Sequence, residues 1–231
     1  MKIQRRWWTS AIVAALAALA PGAVRAQTTP TDTGRVVGTI VGVPNLTGAP
    51  RDTGLVVGSL EAAIRQPLVR SSNLSLRVDL SERMLYVMNG TEVVRRYPVS
   101  VGQEGYRTPP GAFRIRRLVW NPDWRPPRSG WARGKQPEAP GSPGNPMGRV
   151  KIFFSDPDYY IHGTGVASSL GQARSHGCLR MRNIDAVELA RLVMTNGGAE
   201  KPVEWYQQTL DNRSTMREVI LPKGVPIRIV Q

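Results

Sequence analysis

The chain has 231 residues, of which 41% are hydrophobic and 21% charged, with a formal net charge of +14 and a single cysteine. That length is enough for one domain with a sizeable core, and one cysteine excludes a disulfide framework. The excess of positive charge comes without a basic helix or an interleaved aromatic platform, so it points to anionic partners other than nucleic acid.

Met1-Lys2-Ile3-Gln4-Arg5-Arg6 is a basic start, Ala11 to Ala20 is an unbroken apolar run, and Val24-Arg25-Ala26 sets small residues at cleavage spacing. This pattern predicts a secretory signal over 1–26, with the mature chain starting at Gln27 and exported to the periplasm or cell envelope. The run is short for a bilayer span and nothing later resembles a membrane helix, so no stable span is expected after cleavage; an uncleaved anchor is the alternative. From Gln27 to Ser72 the chain is rich in Gly, Thr and Pro, and Asp32-Thr33-Gly34-Arg35-Val36-Val37-Gly38 recurs as Asp52-Thr53-Gly54-Leu55-Val56-Val57-Gly58. Two copies do not make a solenoid, and 27–72 reads as a tether with a short helix over Leu60 to Ile64 that Pro67 ends.

Regular structure is predicted from residue 73 to 231. Leu74, Leu76, Val78 and Leu80 alternate with polar residues, the period of a half-buried strand. Met84 to Met88 and Thr91 to Tyr97 flank Asn89-Gly90, which suits a type I′ hairpin. Further strands are expected over Ala112 to Val119, Val150 to Phe154, Tyr159 to His162 and Val225 to Val230. One helix is expected from an Asn183 N-cap to Asn196-Gly197-Gly198, with Val187, Ala190 and Met194 on one face, and a second from Pro202 to Leu210. The domain is therefore mainly β, with one or two helices packed beside the sheet. Between Trp120 and Gly148 lie seven prolines and three tryptophans, Trp120, Trp124 and Trp131. So long a loop reads as a lid over a substrate groove, the alternative being tryptophans that plug one edge of the core.

Ser175-His176-Gly177-Cys178-Leu179-Arg180 holds the only cysteine and one of two histidines, the other being His162. A thiol becomes a good nucleophile when a base or cation favours the thiolate, and Gly177 lets a backbone N–H approach a reacting carbonyl. An exported chain with an unpaired cysteine strengthens this reading. A buried free cysteine is the bland alternative, but His176, Gly177 and Arg180 are poor company for an apolar core. A zinc site from His162, His176 and Cys178 lacks a fourth ligand, so neither metal nor cofactor is expected. Which histidine is the base stays open on local geometry. His176 would share a strand face with Cys178, and His162 would come from a neighbouring strand.

Thr108-Pro109-Pro110-Gly111-Ala112-Phe113, Asn121-Pro122-Asp123-Trp124, Asn145-Pro146-Met147-Gly148, Ile161-His162-Gly163-Thr164 and the cysteine motif occur in the order seen in L,D-transpeptidase catalytic domains of the YkuD-like type, which the region from Leu74 to Val230 resembles. The resemblance implies a β-sandwich-like fold and a peptidoglycan substrate. It implies Cys178 as nucleophile, His162 as base with the Gly163 carbonyl orienting it, and Gly177 and Cys178 N–H groups as the oxyanion hole. His176 would support the site. Arg180 would hold a substrate carboxylate unless it is simply solvated or ion-paired, and Ser175, Thr164, Trp124 and Trp131 would line the substrate. The expected reaction joins peptidoglycan stem peptides by 3→3 cross-links or attaches a wall-anchored lipoprotein, and carbapenems would acylate the thiol. The same thioester resolved by water would make an L,D-carboxypeptidase or amidase. A reading from another class is a non-catalytic wall-binding protein.

Overall fold

The computed structural model describes residues 59–231, so the signal expected over 1–26 and the 32–58 repeat lie outside the described residues. Ser59 caps α1 (Leu60–Arg65), its Oγ accepting the Ala62 N–H at 3.2 Å. Composition assigned 59–72 to the tether, yet this stretch packs on the domain. Ala63 and Ile64 are buried, Asn196 donates to the Val69 carbonyl, and Arg70 forks onto Glu200.

Strands β1 (Leu74–Asp79), β2 (Met84–Asn89) and β3 (Glu92–Pro98) form an antiparallel run. Leu74, Leu76 and Val78 turn inward on alternate residues as the period predicted. The hairpin differs from the expected type I′ turn. Its two loop residues are Gly90 and Thr91, and of Asn89, Gly90 and Thr91 only Gly90 has positive φ (62°), the pattern of a II′ turn. After β4 (Val101–Gly102) come β5 (Gly111–Trp120), β6 (Val150–Ser155), β7 (Tyr159–Thr164), β8 (Ala173–Ser175), β9 (Leu179–Arg182) and the long β10 (Arg217–Val230). The main sheet has eight strands in the order β3-β2-β1-β10-β5-β6-β7-β9, and β4 pairs with β8 alone. Ser100, just past β3, exchanges both backbone hydrogen bonds with Arg180 of β9 at 2.9 and 3.0 Å. The two ends of the sheet therefore meet, and the sheet is nearly closed.

α2 (Asn183–Asn196) and α3 (Val203–Asp211) follow the strands that carry the site. α2 was expected to bury one stripe; instead residues 185–187 and 189–194 are all buried. A helix enclosed on every side is a core element, and here the sheet covers one flank while α1 covers another. Its polar residues are partnered accordingly: Arg182 forks onto Asp185 at 2.7 and 2.9 Å, and Arg191 donates to the Ala63 carbonyl. Asn183 does not cap the helix as expected. It is the first helical residue, and its side chain instead accepts the Arg149 N–H (3.1 Å) and donates to the Thr164 carbonyl (3.3 Å), tying β6 and β7 to the helix start.

Candidate active site

Parallel pairing of β7 with β9 sets Ile161 opposite Leu179 and His162 opposite Arg180. Ile161 and Leu179 point into the core, so Tyr160, His162, Cys178 and Arg180 share the other face. On the far side of β7, Lys151 of β6 is the register partner of His162. This face is covered by the segment from Asn121 to Gly148, which closes on itself through paired Trp124 and Glu138 backbones at 2.8 Å and through Asn145, whose amide donates to the Pro122 and Ala139 carbonyls.

His162 is 3% exposed, and its Nδ1 bonds the Gly163 carbonyl at 2.8 Å. Burial holds its pKa down to about 3, with the Arg180 and Lys151 charges adding to the effect against the Gly163 and Pro146 carbonyls that face the ring. The imidazole is neutral at any ordinary pH. Cys178 is half-buried, and its thiol donates to the Asp158 carbonyl at 3.5 Å. Burial pushes the thiol up, opposed by the Tyr160 N–H and hydroxyl and by Lys151 and Arg180. Among the described residues no hydrogen bond joins His162 to Cys178; they are neighbours on one face, each held by a backbone carbonyl.

Two close approaches require glycine in this region. Gly177 has φ 109°, and a Cβ there would stand 2.9 Å from the Tyr159 ring; at Gly163 it would stand 2.1 Å from Asn183 Oδ1. The Gly177 N–H, expected in the oxyanion hole, is instead donated to Ser175 Oγ at 3.1 Å, while the Gly177 carbonyl accepts from Thr108 Oγ1 at 2.8 Å. Any role for that N–H at a reacting oxygen requires the Ser175 bond to open. Ser175 and Thr164, expected to line the substrate, are buried with their hydroxyls engaged, Thr164 Oγ1 by the Val166 N–H. They hold the loops that shape the site.

His176 does not reach the thiol as a hydrogen-bond partner. Its ring stacks on Trp131 (3.9 Å, 8°) and takes the edge of Tyr106 at 4.9 Å. Burial, then Arg180 and Lys135, lower its pKa. Trp131 thus touches the cysteine loop directly, whereas Trp124, 7% exposed, packs as core. Arg180 is half-buried and, among the described residues, has no carboxylate partner; burial lowers its pKa and Cys178 opposes this. Among the described residues no group of three or more His, Cys, Asp or Glu side chains gathers.

Sequence reasoning missed Lys151, Tyr160 and Tyr106. Tyr160 was within reach, since it precedes His162 by two residues and so shares its strand face. Lys151 and Tyr106 were not, because only strand register and loop packing bring them here.

A model of the L,D-transpeptidase catalytic domain family matches residues 74–218. The L,D-transpeptidase YkuD of Bacillus licheniformis is 35% identical over 118 residues, covering 51% of this chain and 59% of that protein. L,D-transpeptidase YbiS of Escherichia coli K12 is 34% identical over 110 residues, covering 45% and 36%. The chain thus spans less than two thirds of the length of these relatives. An L,D-transpeptidase structure from Mycobacterium smegmatis aligns over 69% of this chain and 59% of its own at 17% identity and a TM-score of 0.42. The family match runs from the first residue of β1 into β10 and takes in both histidines, the cysteine and the covering segment, and the chain therefore belongs to the L,D-transpeptidase catalytic domain family.

Proposed function

We propose that the protein is an exported L,D-transpeptidase that acts on peptidoglycan stem peptides through a thioester on Cys178. The observation that carries the reading is the register of β7 and β9, which puts a thiol and a buried neutral imidazole on one face beneath a long covering segment. A neutral imidazole whose Nδ1 is taken by a carbonyl keeps its second nitrogen for proton transfer. In the proposed reaction the Cys178 proton passes to His162 as Sγ attacks the carbonyl of the diamino acid at stem position three. The C–N bond to the terminal D-alanine breaks, and the leaving nitrogen takes the proton from the imidazolium. A side-chain amine of a second stem then attacks the thioester, yields its proton to His162 and regenerates the thiol, leaving a 3→3 cross-link. A lipoprotein lysine as acceptor would attach that protein to the wall by the same steps. Arg180, a half-buried cation without a carboxylate partner among the described residues, suits a substrate carboxylate.

Intact-mass analysis after carbapenem treatment tests the nucleophile: one covalent adduct is expected on the native protein and none on Cys178→Ala. An unmodified native protein overturns the reading. With tetrapeptide muropeptides as substrate, cross-linked products lacking one D-alanine support transpeptidation, whereas tripeptides alone would identify water as the acceptor.

A further inference from the structure

Lys151 is the only charged residue of β6, and among the described residues no ion pair accounts for its charge. It is half-buried, and its Nζ donates to the Asp123 main-chain carbonyl at 2.9 Å. The Asp123 carboxylate pairs with Arg125 at 3.0 Å, and among the described residues no carboxylate pairs with Lys151. A cation withdrawn from water without a carboxylate in contact is costly, and a residue of similar shape without charge would fill the position at lower cost. What surrounds the ammonium indicates what its charge serves. It stands 5.0 Å from the centroid of the Tyr160 ring, whose hydroxyl faces the Cys178 thiol, and its register partner is His162. The groups facing the thiol are the Tyr160 N–H and hydroxyl and His162 from β7, Arg180 from β9, the Asp158 carbonyl from the β6–β7 turn, and Lys151 with Asp123 behind it. His162 is neutral, so an ionised Cys178 is the anion this face can generate.

We infer that Lys151 is the counter-ion of the Cys178 thiolate, a positioning residue anchored to the covering segment through the Asp123 carbonyl. The inference rests on Cys178 being the reactive group of the proposed function. Lys151 stays protonated while the thiol proton leaves, and its charge makes ionisation possible in a site where burial opposes it. Arg180 supplies a second positive charge, so loss of Lys151 weakens the effect without abolishing it.

The test is the pH dependence of iodoacetamide alkylation of the full chain, followed by intact mass from about pH 6 to 12, because burial holds the thiol above its ordinary value of about 8.5. Lys151→Met should raise the midpoint by about one unit or more, slowing alkylation roughly tenfold near neutrality, and Lys151→Arg should restore it. The plateau at high pH reports access to the thiol, so a loosened covering segment is read separately from a changed ionisation. A native midpoint in Lys151→Met overturns the inference, as does an equal shift in both variants, which would place the effect in packing. Lys151→Gln serves if the Met variant does not fold. Alkylation needs no transpeptidase chemistry: a protein that shows the shift but forms no carbapenem adduct keeps the counter-ion and loses the proposed function.

Discussion

His162 combines near-complete burial with a polar ring, and its protonation is set by that environment. Its pKa of about 3 in the folded chain compares with an ordinary value of 6.5 once unfolded. Between those values the unfolded chain binds a proton that the folded chain does not. Its contribution to stability is therefore complete above about pH 6.5 and is lost as pH falls toward 3, by up to about 1.4 kcal/mol per unit. Urea midpoints at pH 7 and pH 4.5 should fall further for the native protein than for His162→Gln. Equal losses would mean that the imidazole is not held neutral. His162 and Cys178 stood out as candidates in the chain because histidine and cysteine are scarce there and sit in distinct motifs. That the thiol would rest on the Asp158 carbonyl was not, since no local pattern encodes a backbone group 20 residues away.

At the scale of elements, the segment from Asn121 to Gly148 divides into two parts that composition could not separate. Trp124 is core, and Trp131 is a half-buried plate lying on His176. Burial of Trp124 fits the edge-plugging alternative, and the contact of Trp131 with His176 leaves the lid reading as a proposal for that tryptophan alone. Trp124→Ala should cost about 3–5 kcal/mol of stability, the usual penalty for emptying a buried tryptophan site. Trp131→Ala should leave the melting temperature within a few degrees and instead raise KM or slow acylation. If His176 acts chiefly as the seat for Trp131, His176→Ala should reproduce that kinetic change, and the double variant should add little to either. Additive losses, or a Trp131→Ala variant that merely melts earlier with native kinetics, would sink the idea of a substrate-shaping lid.

For the whole molecule, a polar staple ties the end of β5 to α3 and the turn that follows it. Asn121, held at φ 45°, shares its two amide N–H groups among the Thr209, Asn212 and Thr215 carbonyls, which lie 2.7, 3.0 and 3.1 Å from Nδ2. Asn121→Ala leaves those carbonyls without this donor and should cost roughly 1–3 kcal/mol, measured by urea unfolding. Because α3 packs through Trp205 on Trp120 (5.9 Å) and not on the cysteine loop, alkylation of Cys178 should proceed at the native rate in the folded variant. A stability loss below about 0.5 kcal/mol, the range of ordinary surface changes, would show the staple to be dispensable.

Sequence alone marked the longer elements and the family. Period-2 alternation marked β1, Asn89-Gly90 marked the β2–β3 hairpin, a proline and a glycine pair bounded α3 and α2, and separated motifs carried the family, because these depend on local conformation and residue type. Tertiary structure decided the rest. β9, β4 and β8 are too short to declare themselves and exist through their partners; β10 runs farther than its apolar end because β5 pairs along it. The engaged Gly177 N–H, the buried Ser175 and Thr164, the stacked His176 and the unpaired Lys151 all follow from strand register and loop packing. Those relations join residues tens of positions apart, where the chain's own pattern carries no distance information.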